Sequence, residues 1–241
     1  MKINIAIDGH SSCGKSTLAK ELARQLNYVY VDTGAMYRAM ALYALQGGFI
    51  KKGELDGEGL IHSLDNVYIS FKYNPDSRNS ETFLNAANVE KEIRSMQVSN
   101  FVSAVSELKE VRAKLVRLQK RLAEFGGVVM DGRDIGTVVM PNAELKFFMT
   151  ADDVVRAQRR FDELQSKGIE STLQEVVHNI TTRDNTDSNR VNDPLRKSED
   201  AIIIDNTHLT QEEQFDFAMS HIRKAIESVE KKTEVEPKVA E

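Results

Sequence analysis

The chain has 241 residues, 41% of them hydrophobic and 29% charged, with a formal net charge of −5 and one cysteine. That is ordinary globular composition, long enough for one large domain or for a core with small insertions. The acidic balance argues against a broad nucleic-acid footprint, the single cysteine excludes an intrachain disulfide, and no apolar run approaches the roughly 18 to 20 residues that span a bilayer.

The first residues lead straight into a strand and carry no signal-peptide pattern, so the cytoplasm is the expected compartment. Residues 3–7 (INIAI) are a short continuous apolar run, the pattern of a central strand in a parallel sheet. Residues 9–17 follow as GHSSCGKST, which is G-x-x-x-x-G-K-[ST] between a strand and a helix, the phosphate-binding loop. Gly9 and Gly14 let the backbone turn tightly, so that N–H groups across His10, Ser11, Ser12 and Cys13 point at a phosphate chain. Lys15 brings a positive charge to the β- and γ-phosphates. Ser16 offers a hydroxyl to Mg²⁺, and the helix from Thr17 aims its positive end at the anion. Cys13 reads best as a small side chain that fits the loop.

Residues 28–31 (YVYV) predict a second strand that ends at Asp32-Thr33-Gly34, and a helix follows over 35–45, stopped by Gly47-Gly48. This order opens a doubly wound α/β fold, in which both loops lie at strand carboxyl ends and face one crevice. Residues 66–71 alternate like a half-buried strand, 73–80 read as a polar turn around Pro75, and 82–84 return as a second strand. Together, residues 62–93 read as a small β-rich insertion. Residues 95–125 are helical with a break near Glu107; Val105, Leu108, Val111, Leu115, Leu118 and Leu122 recur at core spacing. Residues 128–130 predict a buried strand that delivers Asp131-Gly132-Arg133-Asp134 at its carboxyl end. A fourth strand is expected at 145–149, a charged helix at 151–168, and another helix at 171–184 capped by Ser171. A fifth strand at 201–205 precedes a closing helix over 210–229, with Thr210 and Glu213 spaced as a capping box; residues 230–241 read as a frayed, charged end.

Arginine recurs in segments expected to be loops at the crevice mouth: Arg38, Arg94, Arg133, Arg159, Arg183 and Arg190. The planar guanidinium matches phosphate oxygens, and phosphoryl transfer runs on positioning and charge stabilisation. Arginines that face a phosphate loop therefore suit a phosphotransferase. Arg156 and Arg160 suit a solvated helix face or an ion pair equally well. No N-K-x-D run is present, as a guanine-specific switch would require.

Four motifs in order carry a resemblance: residues 9–17, D-T-G-A-M-Y-R at 32–38, D-G-R-D-I-G-T-V-V at 131–139, and R-D-x-x-D-x-N-R at 183–190. The chain resembles the bacterial cytidylate kinases over roughly residues 2–225. The resemblance implies a P-loop NTPase-type parallel sheet flanked by helices, divided into a core (1–61, 94–150, 171–228), an insertion over 62–93 that binds the nucleoside monophosphate, a helical lid over 151–170 and a flexible tail over 229–241. It implies transfer of the γ-phosphate of ATP to CMP or dCMP with Mg²⁺. Residues 9–17 would then hold ATP, with Lys15 as the transition-state cation and Ser16 at the metal. Thr33 and Arg38 would line the monophosphate site. Ser103, Arg112 and Asp134 would read the cytosine edge, and Arg133 and Arg183 would meet the acceptor phosphate. Asp187 and Arg190 would hold the sugar and phosphate side, while Arg159 would act from the lid over ATP. His10 stands where this family commonly has proline, and Cys13 replaces a small residue; the loop works through its backbone, so activity is expected to survive both. A kinase for another small acceptor, a nucleotide-binding module without transfer, and a nucleic-acid-associated NTPase are the competing readings. No nucleic-acid or membrane partner is expected, and a monomer is the expected state.

Overall fold

The computed structural model describes residues 2–75 and 79–235. Ten strands and eight α-helices are found among them. In chain order they are β1 (Ile5–Gly9), α1 (Lys15–Leu26), β2 (Val29–Asp32), α2 (Thr33–Gln46), β3 (Ile50–Lys51), β4 (Glu54–Leu55), α3 (Gly57–His62), β5 (Ile69–Asn74), β6 (Asn79–Leu84), β7 (Ala87–Asn88), α4 (Met96–Glu107), α5 (Lys109–Ala123), β8 (Val128–Gly132), β9 (Leu145–Thr150), α6 (Asp153–Ser166), α7 (Leu173–Asn189), β10 (Ile202–Asp205) and α8 (Gln211–Val235).

Five strands form one parallel sheet in the order β10-β9-β1-β8-β2. β1 and β8 lie inside it and every residue of both is buried, which is why they read as continuous apolar runs. Side chains leave a strand on alternate faces. Ala6, Val128 and Met130 pack on one side with α2, α4 and α5, while Ile5, Ile7 and Val129 pack on the other with α1 and α8. The carboxyl ends of β1, β2 and β8 then lie side by side, with Asp32 paired to Asp131 in register.

A separate three-stranded antiparallel sheet, β5-β6-β7, falls within residues 62–93. Its hairpin is tighter than the alternation suggests. Residues 64–66 form a short 3₁₀ turn, so the strand starts at Ile69, and pairing continues through Asn74 and Asn79 into the segment read as a turn. The tip of that turn, residues 76–78, lies outside the described residues.

The break expected near Glu107 falls at Leu108, whose extended φ of −66° and ψ of 118° separate α4 from α5. Ser171 does not cap the next helix. Thr172 does: its hydroxyl accepts from Glu175 N–H at 3.2 Å, and the Glu175 carboxylate accepts from Thr172 N–H at 2.8 Å. That helix also runs on to Asn189, well past residue 184. The capping box at Thr210 and Glu213 is present, with the reciprocal bonds at 3.2 Å and 2.8 Å. α8 continues beyond residue 229 to Val235, and the remainder of the expected frayed end, residues 236–241, lies outside the described residues. No helix among the described residues is long and apolar enough to cross a membrane.

Candidate active site

The phosphate loop hangs between β1 and α1 in a backbone shape that two positions can adopt only as glycine. Gly9 has φ 149°, and a Cβ there would stand 2.1 Å from the Met149 carbonyl oxygen on the neighbouring strand. Gly14 has φ 102°, and its Cβ would stand 2.5 Å from Asn206 Nδ2, the group that donates to the Cys13 carbonyl at 2.8 Å. Lys15 is buried, and its ammonium donates to the His10 carbonyl within the same loop. Burial lowers its pKa. The Cys13 thiol is fully buried and donates to the His10 carbonyl at 3.1 Å.

Behind the loop, the Ser16 hydroxyl donates to Asp131 Oδ2 at 2.8 Å and the Tyr30 hydroxyl donates to Asp131 Oδ1 at 2.8 Å. Burial and the nearby Asp32 charge push the Asp131 carboxyl up to about 6. A buried carboxylate that is disfavoured in its charged form, next to a hydroxyl, is an oxygen donor set that a hard divalent cation would satisfy. Among the described residues no three His, Cys, Asp or Glu side chains form a metal cage. A cation here would therefore depend on Ser16 and Asp131 together with ligand phosphates and water.

An open cleft of about 2430 Å³ runs past the loop and brings Ser11, Ser12, Gly14, Lys15, Ser16 and Thr17 together with Arg38, Arg133, Arg159 and Arg183. A smaller pocket of about 400 Å³ adjoins it, lined by Thr33, Tyr37, Ser103, Arg133, Asp134, Arg183, Asp187 and Arg190 among others. Arg133 and Arg183 line both.

The arginines come mostly from helices, not loops. Arg38 lies on α2, Arg159 on α6, Arg183 on α7, and Arg94 in a short 3₁₀ turn; Arg133 alone follows a strand directly, and Arg190 stands at the C-cap of α7. Arg183, Asp187 and Arg190 fall four and three residues apart, so the helix places them on one face. Arg133 is fixed by two bonds, to Asp187 Oδ2 at 2.8 Å and to Ser11 Oγ at 2.9 Å. Arg38 is buried and donates to Ser99 Oγ at 2.8 Å and to the Ile93 carbonyl at 3.3 Å. Arg183 Nε and Arg159 Nη1 are buried without a hydrogen-bond partner. Burial and the charge of Arg133 push Arg183 down to about 10, and burial with Arg183, Arg160 and Arg94 nearby holds Arg38 well below its usual range. This is a cluster of cations short of an anion.

In the small pocket, Ser103 Oγ and Tyr37 OH are buried and unpartnered. Asp134 is shared between Arg112 and Arg190, the latter at 3.3 Å. Arg112 pairs with Asp134 and, through Nε, with Asp193 Oδ2 at 2.9 Å, and its Nη1 is buried without a hydrogen-bond partner.

Three residues carry structural weight at the site beyond those given a role from the sequence. Asp8, buried at the end of β1, accepts from the N–H groups of Ile135 at 2.8 Å and Gly136 at 2.7 Å and so anchors the turn after Asp134. Asp184 pairs with Arg156 and accepts the Ser11 N–H at 3.0 Å. Arg156 is buried, which decides its case for the ion pair over the solvated face. Asp184 stands second in the R-D-x-x-D-x-N-R motif and Arg156 lies in the expected charged helix, whereas Asp8 carried no signal.

A protein-family model described as cytidylate kinase matches residues 5–224. The cytidylate kinase of Flavobacterium johnsoniae is 56% identical over 214 residues, covering 89% of this chain and 93% of that protein. That of Phocaeicola vulgatus is 52% identical over 213 residues, covering 88% and 93%. Among solved structures, a gluconokinase from Sinorhizobium meliloti 1021 aligns with a TM-score of 0.48 at 14% identity, over 96% of this chain and 97% of that one. The family model and these cytidylate kinases span nearly every element that builds the cleft and the pocket, and the chain belongs to the cytidylate kinase family.

Proposed function

We propose that this chain transfers the γ-phosphoryl group of ATP to CMP and dCMP, giving CDP or dCDP and ADP. One observation carries the reading beyond family membership. The phosphate loop and a separate pocket bearing Asp134 adjoin across Arg133 and Arg183, so one cleft offers a donor site, an acceptor site and shared cations between them.

In this reading ATP takes the large cleft, with its phosphates on residues 9–17. The monophosphate takes the small pocket. Asp134 accepts from the cytosine amino group, the one base-edge donor that uracil lacks. Ser103 and Tyr37 have free hydroxyls there for the ring and sugar. Asp187 and Arg190 flank the sugar side, and Thr33, Arg38, Arg133 and Arg183 face the acceptor phosphate. Arg112 fixes the orientation of Asp134, and its unpartnered Nη1 is left to donate to a ring acceptor. An acceptor oxygen attacks the γ-phosphorus in line, and the bond to the β–γ bridging oxygen breaks, releasing ADP. Lys15, Arg133, Arg159 and Arg183 stabilise the charge on the moving group. Ser16 and Asp131 would hold Mg²⁺, which when bound neutralises phosphate charge.

The insertion with β5-β6-β7 serves as the monophosphate-side domain, and residues 151–170 serve as a lid that excludes water from the transferred group. A cytoplasmic, monomeric enzyme belongs to the same reading. An ADP-release assay with ATP·Mg²⁺ and CMP, dCMP, UMP, AMP or GMP tests it. Turnover confined to CMP and dCMP supports the assignment. A preference for another acceptor would overturn the cytosine reading, and ADP release without dependence on any acceptor would overturn the kinase.

A further inference from the structure

Ser11, the third residue of the phosphate loop, is held at all three of its polar atoms. Its N–H donates to Asp184 Oδ1 at 3.0 Å. Its carbonyl accepts from Arg156 Nη1 at 2.9 Å. Its hydroxyl accepts from Arg133 Nη2 at 2.9 Å. Arg156 also pairs directly with Asp184, so the main-chain groups of Ser11 close a ring with a buried arginine–aspartate pair. Arg156 is itself fixed on α6, through Asp153 and the Ala151 carbonyl.

The three anchors come from α6, α7 and the loop after β8. Neither Arg156 nor Asp184 lines the cleft or the pocket. Their contacts with the phosphate loop are made at Ser11, and His10 Nδ1 of the same loop stands 3.7 Å from Asp184 Oδ1. The next residue, Ser12, has φ 60°, a left-handed conformation that a side chain resists unless its neighbours hold it. Clamping Ser11 on both sides of its Cα fixes where that turn begins. The same α7 carries Arg183 and Asp187 in the pocket, and Asp187 anchors Arg133.

We infer that Asp184 and Arg156 are positioning residues that preorganise the phosphate loop for the donor triphosphate and tie it to the helix carrying the acceptor-side residues. The inference rests on the kinase reading above. It predicts a defect specific to the donor. A merely structural pair would weaken the donor and acceptor sites alike.

The test uses the full chain and compares Asp184→Ala with Asp184→Asn. Binding of magnesium β,γ-imido-ATP and of CMP is measured separately by calorimetry, together with the KM for ATP and kcat. Asp184→Ala is expected to weaken the ATP analogue about tenfold or more and to raise the KM for ATP in step, with CMP binding within about twofold of wild type. Asp184→Asn keeps an oxygen for the Ser11 N–H and should stay within about threefold. Wild-type analogue binding by the alanine variant would overturn the inference, as would equal weakening of CMP, or an asparagine variant no better than alanine. If the alanine variant does not fold, Arg156→Lys takes its place. A single ammonium cannot serve Ser11 and Asp184 as the fork does, so analogue binding should weaken about threefold or more with CMP unchanged. Wild-type binding there would overturn it. Should the unmodified chain fail to phosphorylate CMP, the kinase reading falls, while the analogue comparison still reads the clamp.

Discussion

Asp134 and Arg112 form an ion pair whose side chains are only 6% and 2% exposed. Arg190 adds a second cation to the same carboxylate at 3.3 Å. Both Asp134 oxygens are thereby oriented, and one face of the carboxyl remains on the pocket wall. Removing the acid leaves two buried guanidinium groups facing each other.

Asp134→Ala is therefore expected to lose about 3 to 5 kcal/mol of stability, the usual result of breaking a buried pair from one side. Asp134→Asn keeps the shape and loses the charge. It should fold and lower kcat/KM for CMP by about 10- to 100-fold, with a smaller loss for UMP. Chemical denaturation and steady-state kinetics on both nucleotides check this. Equal losses for CMP and UMP would show that Asp134 does not read the base.

Lys15→Ala addresses the donor side. The ammonium bonds only within its own loop, to the His10 carbonyl, and burial disfavours its charge. Its loss should leave the thermal midpoint unchanged or higher. Turnover should fall by roughly 10²- to 10³-fold, the usual worth of about 3 kcal/mol of transition-state charge stabilisation. Near-normal turnover would remove Lys15 from the chemistry.

How much of this was legible in the sequence depended on distance along the chain. The loop glycines, the buried strands and the motif at Asp131–Asp134 declare themselves locally, because each is a short run with a fixed geometry. The expected helix over 171–184 took in only Arg183 and Asp184 of the Arg183–Arg190 motif, although its spacing of four and three residues is a helix face; polar content hid the rest of the period. The break at Leu108 was legible to within one residue, although no glycine or proline marks it. Arg156 meets Asp184 across 28 residues, and Ser16 meets Asp131 across 115, and no local pattern encodes either. Arg112 meets Asp134 across 22 residues, and that contact too has no local signature.

Asp8 makes a pH prediction. Burial pushes its carboxyl from 3.8 up to about 7, against the two N–H groups it accepts from. Between those values the folded chain keeps a proton that the unfolded chain releases. The contribution of Asp8 to stability is thus full below about pH 4, declines as pH rises, and is lost above about pH 7. With about 1.4 kcal/mol per unit, the span is at most about 4 kcal/mol. Asp8→Asn cannot titrate. The difference between wild type and variant in urea unfolding should shift in favour of the variant from about pH 5 to about pH 8. Parallel pH profiles would mean that Asp8 is ionised throughout, with its two N–H donors outweighing desolvation.

Arg183 shows what the cation cluster does in the absence of an anion. Its Nε is buried and unpartnered, its neighbours include Arg133 and Arg160, and its pKa is pushed down to about 10. Asp187 and Asp184 offset that cost only in part, and a bound anion relieves it further. Arg183→Gln should therefore raise the thermal midpoint of the free protein by a few degrees, equivalent to about 1 kcal/mol, while lowering kcat by roughly 10²-fold or more. Added sulfate should stabilise the wild type more than the variant, because the anion binds where the charge is. A variant that is less stable than wild type without anions, and equally stabilised by sulfate, would make Arg183 a structural residue rather than a poised phosphate ligand.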